Sequence, residues 1–458
     1  MDTLDIYQRL PYSVRCALAT ARGWRLNATR YGGETDALVA AALERDRWSP
    51  DAWAERTEAS LAGQLHTAAT TVPGYAGCRD PDGARSAIDA LAEWPILTKE
   101  DLRKDPRAYV STAHDPRTLV ADHTSGTTGT PLTVYADRGA VRRWYALFEA
   151  RVRRWNGVAL GDRWAMLGGQ LVVGVERTRP PFWVWNHAGR QLYLSVFHLS
   201  ETTAAHYAEA MRAHRVRYLL GYPSAIAALA EGLRSTGAQA PQLEVVISNA
   251  EPLFDHQRAL ITEVFGCAVR DTYGMSEAVA GGSECEAGTL HLWPDAGYIE
   301  IVDGEGRPMP VGESGRIVCT GLLNGAMPLV RYDCGDHGSI APAQMCACGR
   351  SLPTLQSIDG RNDDLVVLDD GRRIGRLDAV FKSDLEVREA QIVQRAIGSF
   401  VIRVVSAPGY GEHTAAALRD RLAQRVGRAT IDVETVDTIE RTANGKFRAV
   451  VSLVPRDG

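Results

Sequence analysis

A chain of 458 residues is too long for one compact core and has room for about three domains. Hydrophobic residues at 45% and charged residues at 23% describe an ordinary globular protein, and no apolar run is long enough to cross a bilayer. A net charge of −5 gives no field favouring nucleic acid or an acidic membrane, and the N-terminus has no basic-then-apolar leader, so a cytoplasmic protein binding neither is expected.

Residues 1–115 read as helical. Ala37–Leu43 is an apolar run of helix-compatible residues, and Ala52–Ala69 carries apolar residues at helical spacing. Thr98, followed by Glu100 and Asp101, reads as an N-cap opening a further helix. From 116 to about 345 short strands alternate with helices. The helix candidates are Ala140–Trp155, Ala204–His214 and Ser224–Ser235. The strand candidates are Trp164–Leu167, Arg217–Leu220, Leu243–Ile247, Ala268–Asp271 and Gly315–Thr320. Such alternation predicts an α/β domain with its ligand site beyond the strand C-termini. A boundary falls near Ile358–Asp363. After it, Leu365–Leu368, Gln391–Val393 and Phe400–Val405 read as strands and Glu412–Val426 as a helix, a small α+β module.

Within that frame lies a series of polar clusters. His123-Thr124-Ser125-Gly126-Thr127-Thr128-Gly129-Thr130-Pro131 alternates hydroxyls and glycines before a strand-like run. Backbone N–H and hydroxyl groups in such a loop can converge on phosphate oxygens, though a hydroxyl-rich hairpin turn has the same composition. Asn249-Ala250-Glu251-Pro252 follows an apolar run, and Asp271-Thr272-Tyr273-Gly274-Met275-Ser276-Glu277 comes next. Then come Arg331-Tyr332-Asp333-Cys334-Gly335-Asp336, Gly360-Arg361-Asn362-Asp363-Asp364 and Glu440-Arg441-Thr442-Ala443-Asn444-Gly445-Lys446. Taken singly, each has a structural reading: a strand-to-helix loop, a core tyrosine, a surface ion pair, a solvated lysine.

In this order the clusters resemble those of the adenylate-forming superfamily of acyl-CoA synthetases, adenylation domains and luciferases. Within it, the chain looks like the phenylacetate-CoA ligase branch, including its deazaflavin-adenylylating and capsule-associated relatives. The resemblance implies an α/β fold with a large N-terminal domain of mixed sheets and helices (1–361, helical lead-in 1–115) and a small mobile C-terminal α+β domain (362–458). It implies attack of a carboxylate on the α-phosphate of ATP, then transfer of the acyl group to a thiol, the acid being aromatic or small and hydrophobic. Thr124, Ser125, Gly126, Thr127, Thr128 and Gly129 would hold the β and γ phosphates. Asn249, Ala250 and Glu251 would form the adenine edge, and Tyr273 with Gly274 the adenine face. Ser276 would bond the α-phosphate, Glu277 would hold Mg²⁺, Asp336 the ribose hydroxyls, and Arg361 the ribose or phosphate. Lys446 would neutralise charge developing on the α-phosphate, and Asp363 would be the hinge between half-reactions.

Cys346-Ala347-Cys348, with Cys285 and His291 upstream, offers a tetrahedral Cys₃His set for structural zinc, with Cys334 as an alternative fourth ligand; free thiols are the other reading. Trp164, Phe182, Trp183 and Trp185 line an acid pocket or, more simply, form core. Arg138, Arg142, Arg143, Arg151, Arg153 and Arg154 read as a solvated helix face, with a coenzyme A phosphate site as the lesser reading. After the hinge, Asp369-Asp370-Gly371 reads as a hairpin turn where coenzyme A ligases of this branch usually carry a glycine-containing loop. The acceptor therefore stays open among coenzyme A, an amine, a carrier-protein thiol, and nothing beyond the adenylate. An amide synthetase or AMP-transferring enzyme is the alternative function, and an inactive nucleotide-binding protein a third. Branch relatives are often homodimers.

Overall fold

In the computed structural model the described residues are 3–81, 86–123, 132–361, 366–369, 373–374, 377–381, 385–442 and 445–454. The phosphate-loop candidates Thr124–Gly129 and the hinge candidate Asp363 lie outside them.

The lead-in is helical, with helices Tyr12–Arg30, Thr35–Arg45 and Pro50–Thr71. The last begins at Ser49, whose side chain accepts from the Ala52 N–H, with Pro50 at the first helical position. Thr98 and Asp101 form a reciprocal capping box at the start of Lys99–Lys104. Just before it, Leu97 joins the edge of a later strand: its N–H donates to Arg331 O at 3.0 Å and its carbonyl accepts from the Asp333 N–H at 2.9 Å.

The large domain is built on an eight-stranded sheet. Five strands are mutually parallel: Ala268–Gly274, Val245–Ser248, Tyr218–Gly221, Trp164–Gly168 and Gln191–Ser195, in that spatial order. Antiparallel strands close both sides, Gly281–Glu284 and Leu290–Leu292 on one and Trp183–Asn186 on the other. Helices Ala204–Ala213, Pro223–Thr236 and Asp255–Phe265 bury their apolar faces with the sheet in one core around Leu219, Ile226 and Val246. Phe182 and Trp185 belong to this core, with Trp183 packed against it, while Trp164 stacks on Tyr218 at 5.7 Å. The core reading of these aromatics holds.

A second, antiparallel sheet runs Gly297–Val302, Gly315–Gly321, Tyr332–Ile340 and Leu355–Arg361. Its core merges with the lead-in through Leu61, Leu65 and Tyr75. The C-terminal module has strand order Thr430–Thr435, Ser399–Ser406, Val387–Ala396 and Val450–Ser452, with helix Glu412–Val426 packed on it through Leu418 and Leu422. Val366–Val367 pairs antiparallel with Arg373–Ile374, as a hairpin requires.

Two expectations need correction. The predicted helix Ala140–Trp155 is regular only over Arg138–Phe148 and then widens into a π-helical turn, Glu149–Arg153. That turn buries two members of the supposed solvated arginine face. Arg151 is fully buried and bonds Asp46 at 2.9 Å and Asp295 at 2.7 Å, while Arg153 donates to Tyr218 Oη at 2.8 Å and Glu149 at 3.2 Å. The strand candidate Ala268–Asp271 ends too early: the strand continues to Gly274 to pair with Gly281–Glu284, so Tyr273 lies inside it and not beyond its end.

Candidate active site

The parallel strands end on one side of the sheet, and a cleft of about 1210 Å³ opens there between the sheet, the lead-in and the C-terminal module. It is lined by Asn249, Ala250, Tyr273, Gly274, Ser276, Glu277 and Asp336 from the large domain and by Lys446 from the C-terminal module. Eight of the expected site residues, far apart in the chain, thus share one cavity. Strands Val120–His123 and Thr133–Ala136, which flank the phosphate-loop candidates, pair with His123 opposite Thr133, and Val120, Asp122, Leu132 and Val134 also face the cleft.

Two turns bring the groups inward. Ala250 has φ +66° and Ala278 has φ +53°, both unusual for a residue with a Cβ. The first follows strand Val245–Ser248 and leaves Asn249 Oδ1 buried with no hydrogen-bond partner among the described residues. The second closes the Met275–Ala278 turn, in which the Ala278 N–H donates to Met275 O at 3.1 Å.

Strand Tyr332–Ile340 alternates buried and half-buried residues, so Tyr332, Cys334 and Asp336 share one face. Tyr273 Oη donates to Asp336 Oδ2 at 2.9 Å, and Tyr332 Oη to Glu277 Oε1 at 2.7 Å. Burial, then the Asp336 charge, holds the Tyr273 phenol well above its usual range, and burial with the Glu277 charge does the same to Tyr332. Both phenols therefore stay protonated donors at neutral pH. Lys99 donates to Cys334 O at 2.6 Å, tying the capping box to this strand where Gly335 takes φ +78°. Arg361 ends strand Leu355–Arg361, with its Cα opposite Asp336.

Behind the cleft, Asp271 accepts from Ser248 Oγ at 2.5 Å and from the Thr272 N–H at 2.9 Å. Burial outweighs these bonds and pushes its carboxyl up to about 6, with nearby Glu284 adding to the rise.

Lys446 lies in the cleft with Nζ 5.9 Å from the centre of the Tyr222 ring. Glu251 departs from the expected adenine edge. It is not among the lining residues, and its carboxylate accepts instead from the Ser224 N–H at 3.2 Å and the Phe447 N–H at 2.5 Å. Trp144, Tyr145, Phe148 and Trp293 also line the cleft and give it an aromatic surface.

A second cluster lies on the hairpin that pairs with the strand of Tyr273. Ligand atoms of Cys285, His291, Cys346 and Cys348 all fall within 4.8 Å of one another. Cys285 Sγ is 3.9 Å from Cys346 Sγ, and Cys348 Sγ is 3.4 Å from His291 Nε2. His291 Nδ1 lies 3.2 Å from Leu352 O, which fixes the tautomer with Nε2 turned to the cysteines. Trp53, Trp155 and Leu352 enclose the group. Cys334, the alternative fourth ligand, lies instead beside Tyr273 in the cleft, its Sγ donating to Ile317 O at 3.2 Å.

Two contributors, Tyr332 and Phe447, carried no sequence assignment. Tyr332, which holds Glu277, was visible only as one residue of a longer motif. Its period-two alternation with Cys334 and Asp336 is the signal that places it. The contact of Glu251 with Phe447 spans 196 residues and has no local signal.

With this geometry in place, comparison with known proteins is informative. The family model described as AMP-binding enzyme matches residues 51–327, and that of the CapK C-terminal domain matches 366–453. Phenylacetate-coenzyme A ligase of Thermus thermophilus is 28% identical over 423 residues, covering 82% of this chain and 89% of that protein. Protein CapK of Staphylococcus aureus is 24% identical over 376 residues, covering 81% and 82%. Among solved structures, 2-hydroxyisobutyryl-CoA ligase in the postadenylation state, in complex with R3-HIB-AMP, superposes with a TM-score of 0.68 at 24% identity, covering 89% of this chain and 91% of that one.

Proposed function

The chain belongs to the AMP-binding enzyme family, and from that premise we propose that it is an ATP-dependent ligase that activates a carboxylic acid as its adenylate and passes the acyl group to a thiol. The observation that carries this reading is the meeting of Asn249, Tyr273, Glu277, Asp336 and Lys446 in one cleft.

In the first half-reaction a carboxylate oxygen of the acid attacks the α-phosphorus, the bond from that phosphorus to the bridging oxygen breaks, and pyrophosphate leaves with the bond's electron pair. Asn249 Oδ1, a buried acceptor awaiting a donor, suits the adenine amino group. Tyr273 presents its ring from beside Asp336 and holds one carboxylate oxygen, orienting that group toward the ribose hydroxyls. Ser276 donates to the α-phosphate, and Lys446 supplies a positive charge where negative charge grows. Glu277, fixed by Tyr332, would hold Mg²⁺, which shields the phosphates when bound. Arg361 and the phosphate-loop residues Thr124–Gly129 complete the nucleotide set, and Asp363 the hinge.

In the second half-reaction the thiol sulfur attacks the acyl carbonyl, AMP leaves, and the thiol proton passes to solvent. Trp144, Tyr145, Phe148 and Trp293 favour an aromatic or small hydrophobic acid. Coenzyme A is the proposed thiol. An amine acceptor is the second reading, and the hairpin Val366–Val367 with Arg373–Ile374 favours it, standing where a coenzyme A ligase would carry its glycine loop. Cys285, His291, Cys346 and Cys348 are proposed to hold a structural zinc ion, with three thiolates and one neutral imidazole as donors. The zinc would tie the strands of the cleft to the segment before the boundary. We assign the boundary itself to residues 361–362.

The test is pyrophosphate release across a panel of carboxylic acids, each with and without coenzyme A or amines. An aromatic acid should release pyrophosphate, and coenzyme A should convert the adenylate to a thioester. Pyrophosphate release by no acid would sink the reading.

A further inference from the structure

The turn that carries Lys446 is held against the large domain by contacts that a charge at the α-phosphate does not itself require. Thr442 closes the turn: its N–H donates to Lys446 O at 2.9 Å, its carbonyl accepts from the Gly445 N–H at 2.7 Å, and its Oγ1 accepts from the Lys446 N–H at 3.1 Å. Gly445 takes φ +73° and lies so close to the strand ends that a Cβ there would fall 2.8 Å from Val196 Cγ2 and 3.6 Å from Gly169 Cα. Val196 follows strand Gln191–Ser195, and Gly169 follows strand Trp164–Gly168. The turn is thus seated on the C-terminal ends of the parallel strands, where the nucleotide cleft begins.

Phe447, the residue after Lys446, bonds to a carboxylate of the large domain. Phe447 donates its N–H to Glu251 Oε1 at 2.5 Å. The other carboxylate oxygen accepts from the Ser224 N–H at 3.2 Å, at the first turn of helix Pro223–Thr236. Pro223 has no N–H to offer, so the carboxylate sits at a helix N-terminus and reaches outward. One side chain therefore bridges a fixed helix end of the large domain and the backbone beside Lys446. A charge-assisted bond at a partly buried site is among the stronger polar contacts, yet a single one can still be exchanged for water.

We propose that Glu251 is a positioning residue: it latches the Phe447 backbone so that Lys446 is presented to the α-phosphate during adenylation, and it lets go when the C-terminal module moves for the second half-reaction. The proposal rests on the role given to Lys446 above and adds to it a specific, breakable contact. Glu251 is not among the residues that line the cleft, so its effect on the reaction passes through the position of Lys446.

Limited trypsin digestion of the full-length protein reads the latch without any chemistry. Trypsin cuts the Lys446–Phe447 bond only when the turn leaves the strand ends. In Glu251→Ala, cleavage there should be about tenfold faster than in the wild type, while cleavage after the exposed Arg428 stays unchanged. Gly445→Ala should expose the same bond through the collision with Val196 and leaves the cap on helix Pro223–Thr236 intact, so it separates undocking from damage to the large domain. Unchanged cleavage after Lys446 in both variants overturns the latch. In the reaction, Glu251→Gln has one carbonyl oxygen for two donors and should slow pyrophosphate formation about tenfold while leaving transfer from a preformed acyl-adenylate unchanged. An equal loss in both half-reactions overturns the positioning role. If the wild type releases no pyrophosphate with any acid, the reaction assigned above fails, and the digestion pattern still decides the latch.

Discussion

The nucleotide cleft and the Cys/His cluster share one hairpin, and they use it in opposite ways. Gly282, opposite Tyr273, lines the cleft, while Cys285 just after the same strand and His291, paired with Ser283 on the next, cluster with Cys346 and Cys348. In the cleft the polar groups stand around an open volume of about 1210 Å³, one buried acceptor lacks a partner among the described residues, and two cations, Lys446 and Arg448, come from a separate module. In the cluster the donor atoms fall within 4.8 Å of each other and are walled in by tryptophans. Polar groups spaced apart suit a ligand that comes and goes; groups packed together suit an ion that stays. The contrast predicts that changes in the cleft alter rate with little effect on stability, and that changes in the cluster do the reverse.

The sharpest way to break that contrast is Lys446→Ala. It removes the charge and leaves the seat of the turn, which rests on Gly445 and Phe447. The rate of pyrophosphate release should fall by about 10²–10³, as when other preorganised stabilisers of a transition-state charge are deleted. ATP affinity and melting temperature should stay close to the wild type. Pyrophosphate release at the wild-type rate removes Lys446 from the reaction.

The cluster calls for the opposite result. Elemental analysis should find one zinc per chain, and Cys348→Ser should lose it and melt about 5 °C lower. The folded fraction should still release pyrophosphate at a rate near the wild type. A metal-free, equally stable protein whose Cys285, Cys346 and Cys348 all titrate as free thiols would leave the cluster as buried cysteines and end the comparison.

The two regions were also legible to different degrees. The cluster could be read from residue chemistry, because Cys346 and Cys348 stand one residue apart with Cys285 and His291 upstream; what stayed open was whether these are free thiols or a metal set, and whether His291 or Cys334 completed that set. Alternation in strand Tyr332–Ile340 decides this, since it turns Cys334 toward Tyr273. The cleft could be read from ordered clusters, and Asn249, Tyr273, Ser276, Glu277, Asp336 and Lys446 meet as expected. Glu251 could not, because the chain reverses at Ala250 with φ +66° and sends neighbouring side chains to different places. Nor could Arg151 and Arg153, since nothing in an arginine-rich helical pattern announces a π-helical turn. Fold class followed from periodicity; the antiparallel strands Gly281–Glu284 and Leu290–Leu292 were missed because each is too short to show a pattern.

A finer test lies inside the cleft. Tyr332→Phe removes the hydroxyl that donates to Glu277 and nothing else. If Glu277 holds Mg²⁺, losing the group that orients it should raise the Mg²⁺ concentration needed for half-maximal pyrophosphate release about tenfold. The rate at saturating Mg²⁺ should change less. A fall in rate with an unchanged Mg²⁺ requirement would assign the Tyr332–Glu277 pair to packing around the strand.

The smallest effect expected concerns Asp271, which lies between the two regions and belongs to neither. Burial disfavours the charged form and pushes its carboxyl in the folded protein from the ordinary 3.8 up to about 6. A carboxyl raised in this way favours the folded state most when protonated. Its contribution is fully present below the unfolded pKa, near 4, and is lost as pH rises through about 6. Asp271→Asn keeps an oxygen for Ser248 and Thr272 and removes the ionisation. The variant should therefore melt about 2 °C higher than the wild type at pH 8, with the gain shrinking as the pH falls toward 4. A gain that is the same at pH 8 and at pH 4 would mean that the side chain at 271 acts through its shape and not its charge.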